Sequence, residues 1–143
     1  MGNQLPKLLV IAVLAGGVGL FGMRFVQKDD RASAHVDVSV PAALSPVAQA
    51  GQKAFNAVCA ECHGQNASGS DKGPPLVHDI YNPGHHADGA FYMAAKRGVR
   101  AHHWPFGDMP PQPAVNEEQI GQIVAFVREL QQANGIQFRK HTM

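Results

Sequence analysis

Both cysteines of the 143-residue chain stand in one stretch, Cys59-Ala60-Glu61-Cys62-His63. A thiolate is a soft nucleophile, and an imidazole is a ligand for borderline metals. Two thiols at i and i+3 share one side of a helical turn, and the histidine directly after them reaches to the same face. Such a C-x-x-C-H reads as a site of covalent haem attachment. Each thiol adds across one vinyl group, and the imidazole takes the iron. Three rival chemistries use the same residue types. A redox dithiol belongs before a helix in a strand–helix–strand setting, and no strand pattern lies nearby. A zinc site needs further Cys or His at ligand spacing, and a second C-x-x-C is missing. A bare disulfide would leave the histidine without a part to play.

An iron held by one histidine takes a second protein ligand or stays open for catalysis. Of the five methionines, Met1 and Met143 are terminal, Met23 stands in an apolar run, and Met93 falls in a helical pattern. Met109 stands in Gly107-Asp108-Met109-Pro110-Pro111, where two prolines fix an extended loop that can present a thioether at low entropic cost. His63 and Met109 are therefore the expected iron ligands, with His102 and His103 as competitors for the Met109 side. Thioether ligation favours reduced iron and raises the potential.

The haem carboxylates need donors or water. Tyr81 and Trp104 are expected to contact the cofactor, because a buried phenol O–H or indole N–H usually finds a partner. Arg97 and Arg100 are further candidates, and plain core filling is the competing reading for the two aromatics. Lys96, Arg97 and Arg100 read first as a solvated helix end that complements the helix dipole, and second as a docking face for an acidic partner. The pairs His85-His86 and His102-His103, with His78 and His35, read as exposed loop histidines beside proline and glycine. A second metal site, copper or zinc, or a pH-sensitive docking face is the rival.

The elements that must position these groups are helical. Val47, Gly51, Phe55 and Val58 recur at spacings of four, four and three, one face of a helix ending at the C-x-x-C-H. Asn116 is a good N-cap, and Glu117 and Glu118 place anions in a first turn. Ile120, Ile123, Val124, Val127 and Leu130 then form an apolar stripe, with Gly135 as a stop signal. Asp88 can cap a third helix, Gly89 to Arg97, ended by Gly98. The fold class is all-α, three to four helices around one cofactor. A large apolar cofactor also accounts for how fewer than 100 residues with few aromatics build a core.

Apolar residues make up 45 % of the chain and charged ones 16 %. The apolar excess sits at the N-terminus, where Leu8 to Met23 carries no charge. With Arg24 snorkelling, the span extends to Val26, enough for one membrane crossing. A cleaved signal peptide is the rival, with Lys7 as its positive region and Ala32-Ser33-Ala34 as its cleavage site. The charged stretch from Arg24 to Arg31 between them disfavours cleavage. Gly16, Gly19 and Gly22 could line a helix–helix contact, although glycine is common in membrane spans. The expected organisation is a membrane anchor at 1–26, a flexible tether at 27–45 and a haem domain at 46–143. From His35 onward eight Lys/Arg face nine Asp/Glu. Such a near-neutral domain argues against nucleic acid as a partner.

With these residues in view, the chain resembles the small single-haem class I cytochromes c, in their membrane-anchored bacterial form. The resemblance covers about Pro46 to Gln132. Gly51 and Phe55 precede Cys59 by eight and four residues, where the family places a glycine and an aromatic on its N-terminal helix. Ile123 and Phe126 match the positions that cross that helix. Gly73-Pro74-Pro75-Leu76 matches a Gly-Pro-x-Leu loop, and the resemblance implies that the Pro74 carbonyl accepts the His63 proton. Met109-Pro110 matches the distal loop. Pro83-Gly84-His85-His86 and His102-His103-Trp104 are not diagnostic of the family.

The resemblance implies one covalent haem c, a class I fold after the N-terminal transmembrane helix, and one-electron transfer between a redox donor and an acceptor without acid–base catalysis. It also implies attachment outside the cytoplasm, hence a haem domain in the periplasm or on the outer face of the inner membrane. A haem catalyst or gas sensor with a displaceable distal ligand is the alternative, as is a haem subunit of a membrane oxidoreductase complex.

Overall fold

The computed structural model describes residues 34–140. The expected membrane span and residues 27–33 of the expected tether lie outside the described residues. Among the described residues no helix is long and apolar enough to cross a membrane.

Ser45 opens the first helix, α1 (Pro46–Val58). Its hydroxyl accepts a hydrogen bond from the Ala48 N–H at 3.2 Å, and Pro46 sits where a missing N–H costs nothing. The buried face of α1 is Ala48, Gly51 and Phe55. The expected stripe therefore shifts by one residue at its start: Val47 is exposed, and Ala48 takes the inward position three residues before Gly51. Cys59 keeps helical angles, and α2 (Ala60–His63) follows at once. The His63 N–H reaches back to the Cys59 carbonyl at 2.9 Å.

A third helix, α3, spans Asp88–Arg97. Its N-cap is Ala87, without a side-chain bond, so Asp88 is the first helical residue rather than the cap. Its carboxylate instead meets Arg128 at 2.8 Å. The last helix, α4 (Glu117–Ala133), begins with a reciprocal cap. The Asn116 Oδ1 accepts from the Gln119 N–H, and the Gln119 Oε1 accepts from the Asn116 N–H. All five apolar positions read from the sequence on α4 are buried, together with Phe126 and Gln131.

The core forms where α1 crosses α4. Gly51 is required there: a Cβ on it would run into the Gln122 carbonyl of α4. One helical turn on, the Phe55 and Phe126 rings pack with centroids 5.6 Å apart. Val77 and Val115 from the connecting loops and Ile136 from beyond α4 join this core. Among the described residues there is no strand, only an isolated bridge between Val99 and Met109.

Residues 34–45, the rest of the expected tether, have no regular structure and lie along the domain. The Val36 N–H donates to the Ser68 carbonyl at 2.8 Å. Ser39 exchanges two hydrogen bonds with the Asn134 side chain, each 2.8 Å. Val38 and Leu44 pack against the core, and Ser45 bonds Glu129 of α4. These main-chain bonds and two apolar side chains offset the entropy of ordering the segment.

Candidate functional site

His63 ends α2, and the chain then turns back on itself. Asn66 and Ala67 take left-handed angles, with φ of 54° and 59°. That turn lets the Ala67 carbonyl accept from the Leu76 N–H at 2.9 Å. The Ser70 hydroxyl donates to the Cys62 carbonyl at 2.6 Å. The Pro74 carbonyl is thereby held 2.8 Å from the His63 Nδ1. A carbonyl only accepts, so the proton sits on Nδ1 and Nε2 keeps a free electron pair. Burial pushes the His63 imidazole below its usual range, partly offset by the Pro74 bond. The ring is then neutral at neutral pH, the form that binds a metal.

Cys59 is half-buried and Cys62 exposed, and both are free thiols. Burial, and then the neighbouring Cys62, push the Cys59 thiol up to about 11. Both stand on the helical turn that carries His63, outside the lining of the cavity that His63 enters.

The facing wall is the loop from Val77 to His86, and it hangs from two polar residues of α4. Gln131, only 1 % exposed, donates to the Leu76 carbonyl at 2.8 Å and the Tyr81 carbonyl at 3.1 Å. Arg128 donates to the Tyr81 carbonyl at 2.8 Å and the His86 carbonyl at 2.6 Å. Its guanidinium also lies 4.9 Å from the centre of the Phe91 ring. The sequence reading missed both residues. Their signal is positional: 128 and 131 each follow a buried apolar residue, Val124 and Val127, by one helical turn, so two long polar side chains sit on the inward side of α4.

The third wall carries Met109. Its N–H and C=O pair with those of Val99, both at 2.9 Å, which pins the Met-Pro-Pro segment to the end of α3. Gly98 makes that approach feasible. It has φ of +78°, and a Cβ there would strike the Met109 carbonyl. The Asp108 carboxylate accepts from the Ala101 N–H at 2.8 Å and closes the intervening loop.

These walls enclose a cavity of about 340 Å³. His63, Pro74, Tyr81, Trp104 and Met109 all line it. Met93 does too, although it is 47 % exposed, and so do His86, His102 and His103. Arg97 and Arg100 are exposed and are not among the lining residues. Lys96 pairs with Glu117 at 3.0 Å across the helix ends, an exposed ion pair. The Trp104 Nε1–H is buried without a hydrogen-bond partner. Tyr81 stands near it, its phenol pushed up to about 12 by burial. An orphaned donor beside a mostly apolar cavity with a metal-competent imidazole fits a large flat cofactor with polar edges.

The histidine pairs form a cluster at this cavity. The His85 and His86 ring centres are 4.6 Å apart, those of His102 and His103 4.2 Å, and those of His86 and His103 5.2 Å. Burial first, then the neighbouring charges, push His86 and His103 below the usual imidazole range.

Residues 48–131 match the family model described as cytochrome c. No curated protein shows a significant match to the chain.

Proposed function

Since the chain belongs to the cytochrome c family, and so binds haem c covalently and transfers electrons, we propose that it is a one-electron carrier whose haem is held by Cys59 and Cys62 through thioethers and by His63 and Met109 at the iron. The observation that carries this reading is that an imidazole with its Nδ1 tied to Pro74 and a thioether on a pinned loop line one apolar cavity. Bound haem supplies a single reversible step between ferric and ferrous iron. Pro74 fixes the tautomer and orientation of His63. The Val99–Met109 pairing and Gly98 keep the Met109 segment in place. Trp104 and Tyr81 offer their N–H and O–H to the haem carboxylates, which supplies the partner that Trp104 lacks. No carboxylate lines the cavity among the described residues, so an acid or base there would be a histidine or Tyr81. Potentiometric titration of the holoprotein should give one reversible one-electron wave at positive potential. A wave that is irreversible, or absent at positive potential, sinks the reading.

A second reading, a haem catalyst or gas sensor with a displaceable distal ligand, is supported by His102 and His103 on the cavity wall. A haem subunit of a membrane oxidoreductase complex rests only on the glycines of the apolar run.

The placement we propose rests on the sequence alone. The apolar run Leu8–Val26 supports an uncleaved anchor in the inner membrane, with the haem domain outside the cytoplasm and redox proteins as donor and acceptor. Because 36–45 is docked on the domain, the connector is shorter than its composition suggests. Intact-mass measurement on protein from native membranes should find the chain unprocessed at Ala34. A mature chain beginning at His35 would replace the tethered carrier by a soluble shuttle.

A further inference from the structure

Two loops far apart in sequence bring three imidazoles to one point, and the electron-carrier reading uses none of them. His85 and His86 sit on the turn after Tyr81, their backbone N–H groups both donated to the Asn82 carbonyl, at 3.0 and 2.9 Å. His103 comes from the loop that Asp108 closes. The Nε2 atoms of His85 and His103 are 3.4 Å apart. One ring nitrogen from each of His85, His86 and His103 lies within 4.8 Å of the others. Metal–nitrogen bonds of about 2.0–2.1 Å at tetrahedral angles place donor atoms roughly 3.4 Å from one another. The His85–His103 separation therefore already equals one edge of such a polyhedron, and small side-chain rotations bring in the third nitrogen.

His86 has the outer hydrogen bond that metal-binding histidines use. Its Nδ1 lies 2.8 Å from the Ile80 carbonyl, so the proton is on Nδ1 and Nε2 keeps its electron pair. Its backbone is fixed in turn, because Arg128 holds the His86 carbonyl. Three imidazole nitrogens suit copper and zinc, whereas magnesium and calcium take oxygen.

We propose that His85, His86 and His103 form a binding site for one divalent late transition-metal cation, Cu²⁺ held more tightly than Zn²⁺, with the remaining coordination position open to solvent. The site is separate from His63 and Met109, and it rests on the reading that Met109, not His103, completes the iron.

Full-length holoprotein equilibrated with buffered Zn²⁺, its zinc and iron then measured by elemental analysis, should saturate at one zinc per iron. His85→Ala and His103→Ala should each weaken binding roughly tenfold or more. His35→Ala, an exposed histidine outside the cluster, should leave it unchanged. With Cu²⁺, electron paramagnetic resonance should show nitrogen coupling that His103→Ala reduces. Because His85 is not among the residues lining the haem cavity, the haem absorption spectrum of His85→Ala should match that of the parent, which separates a lost ligand from a lost fold. Absence of saturable binding, or equal affinity in the parent and His103→Ala, would overturn the proposal. The first outcome would leave the histidines to the haem carboxylates or to solvent.

Discussion

Met109→His should keep a six-coordinate haem and lower its reduction potential by on the order of 0.1 V, within the roughly 0.8 V that axial ligands command. For one electron, 0.1 V is about 2.3 kcal/mol. The sign follows from ligand softness: a thioether stabilises ferrous iron, and a harder nitrogen stabilises ferric. The loop should survive the change, since Met109 is tied to Val99 through its backbone N–H and C=O, which the substitution leaves alone. Met93→Leu is the control. Met93 lines the same cavity, but from α3 and half-exposed, and its loss should leave the potential where it was. Spectrum and potential both unchanged in Met109→Ala would move the ligand elsewhere, and His102 and His103 would be first in line.

Arg128→Ala should cost about 2–4 kcal/mol of stability, read as a shift in denaturation midpoint at constant slope. The guanidinium donates to Tyr81 O, His86 O, Gln131 Oε1 and Asp88 Oδ1, at 2.6–2.8 Å. Its side chain is only 18 % exposed, so solvent replaces these bonds poorly once the arginine is gone. Two of the acceptors are carbonyls of the cavity wall. Hydrogen exchange should therefore rise over Asn82–His86 while amides at the α1–α4 crossing stay protected. Lysine should not rescue, because a single ammonium lacks the planar fork that reaches four acceptors in fixed directions. Asp88→Asn should cost under about 1 kcal/mol, since that carboxylate is 64 % exposed and solvent screens the pair. A loss below about 1 kcal/mol for Arg128→Ala would mean that other contacts hold the loop.

Periodicity made the helices legible. Ile120 to Leu130 fell where a 3.6-residue repeat placed them, and the Asn116 and Gly135 boundary signals matched the ends of α4 within two residues. The reading slipped by one residue at Val47 and at Asp88, where neighbouring small or acidic residues satisfied the local pattern equally well. The C-x-x-C-H and the Met-Pro-Pro loop were legible because their chemistry is local. What escaped is non-local. The docking of 34–45 rests on Asn134 and Glu129, more than eighty positions away, through main-chain bonds that leave no pattern. Gln131 and Arg128 looked like ordinary polar helix residues until the Tyr81 loop was seen hanging from them. The histidine pairs each read as surface residues, because nothing in either loop announces that the other will meet it.

Exposure of the ferrous holoprotein to carbon monoxide asks most directly whether Met109 closes the iron and the protein is a carrier. A thioether held by the Val99 pairing and Gly98 leaves no open position, so the absorption spectrum should not change at neutral pH. Prompt formation of a carbon monoxide adduct would show an open or displaceable distal site, and the catalyst or gas-sensor reading would take the place of the electron carrier.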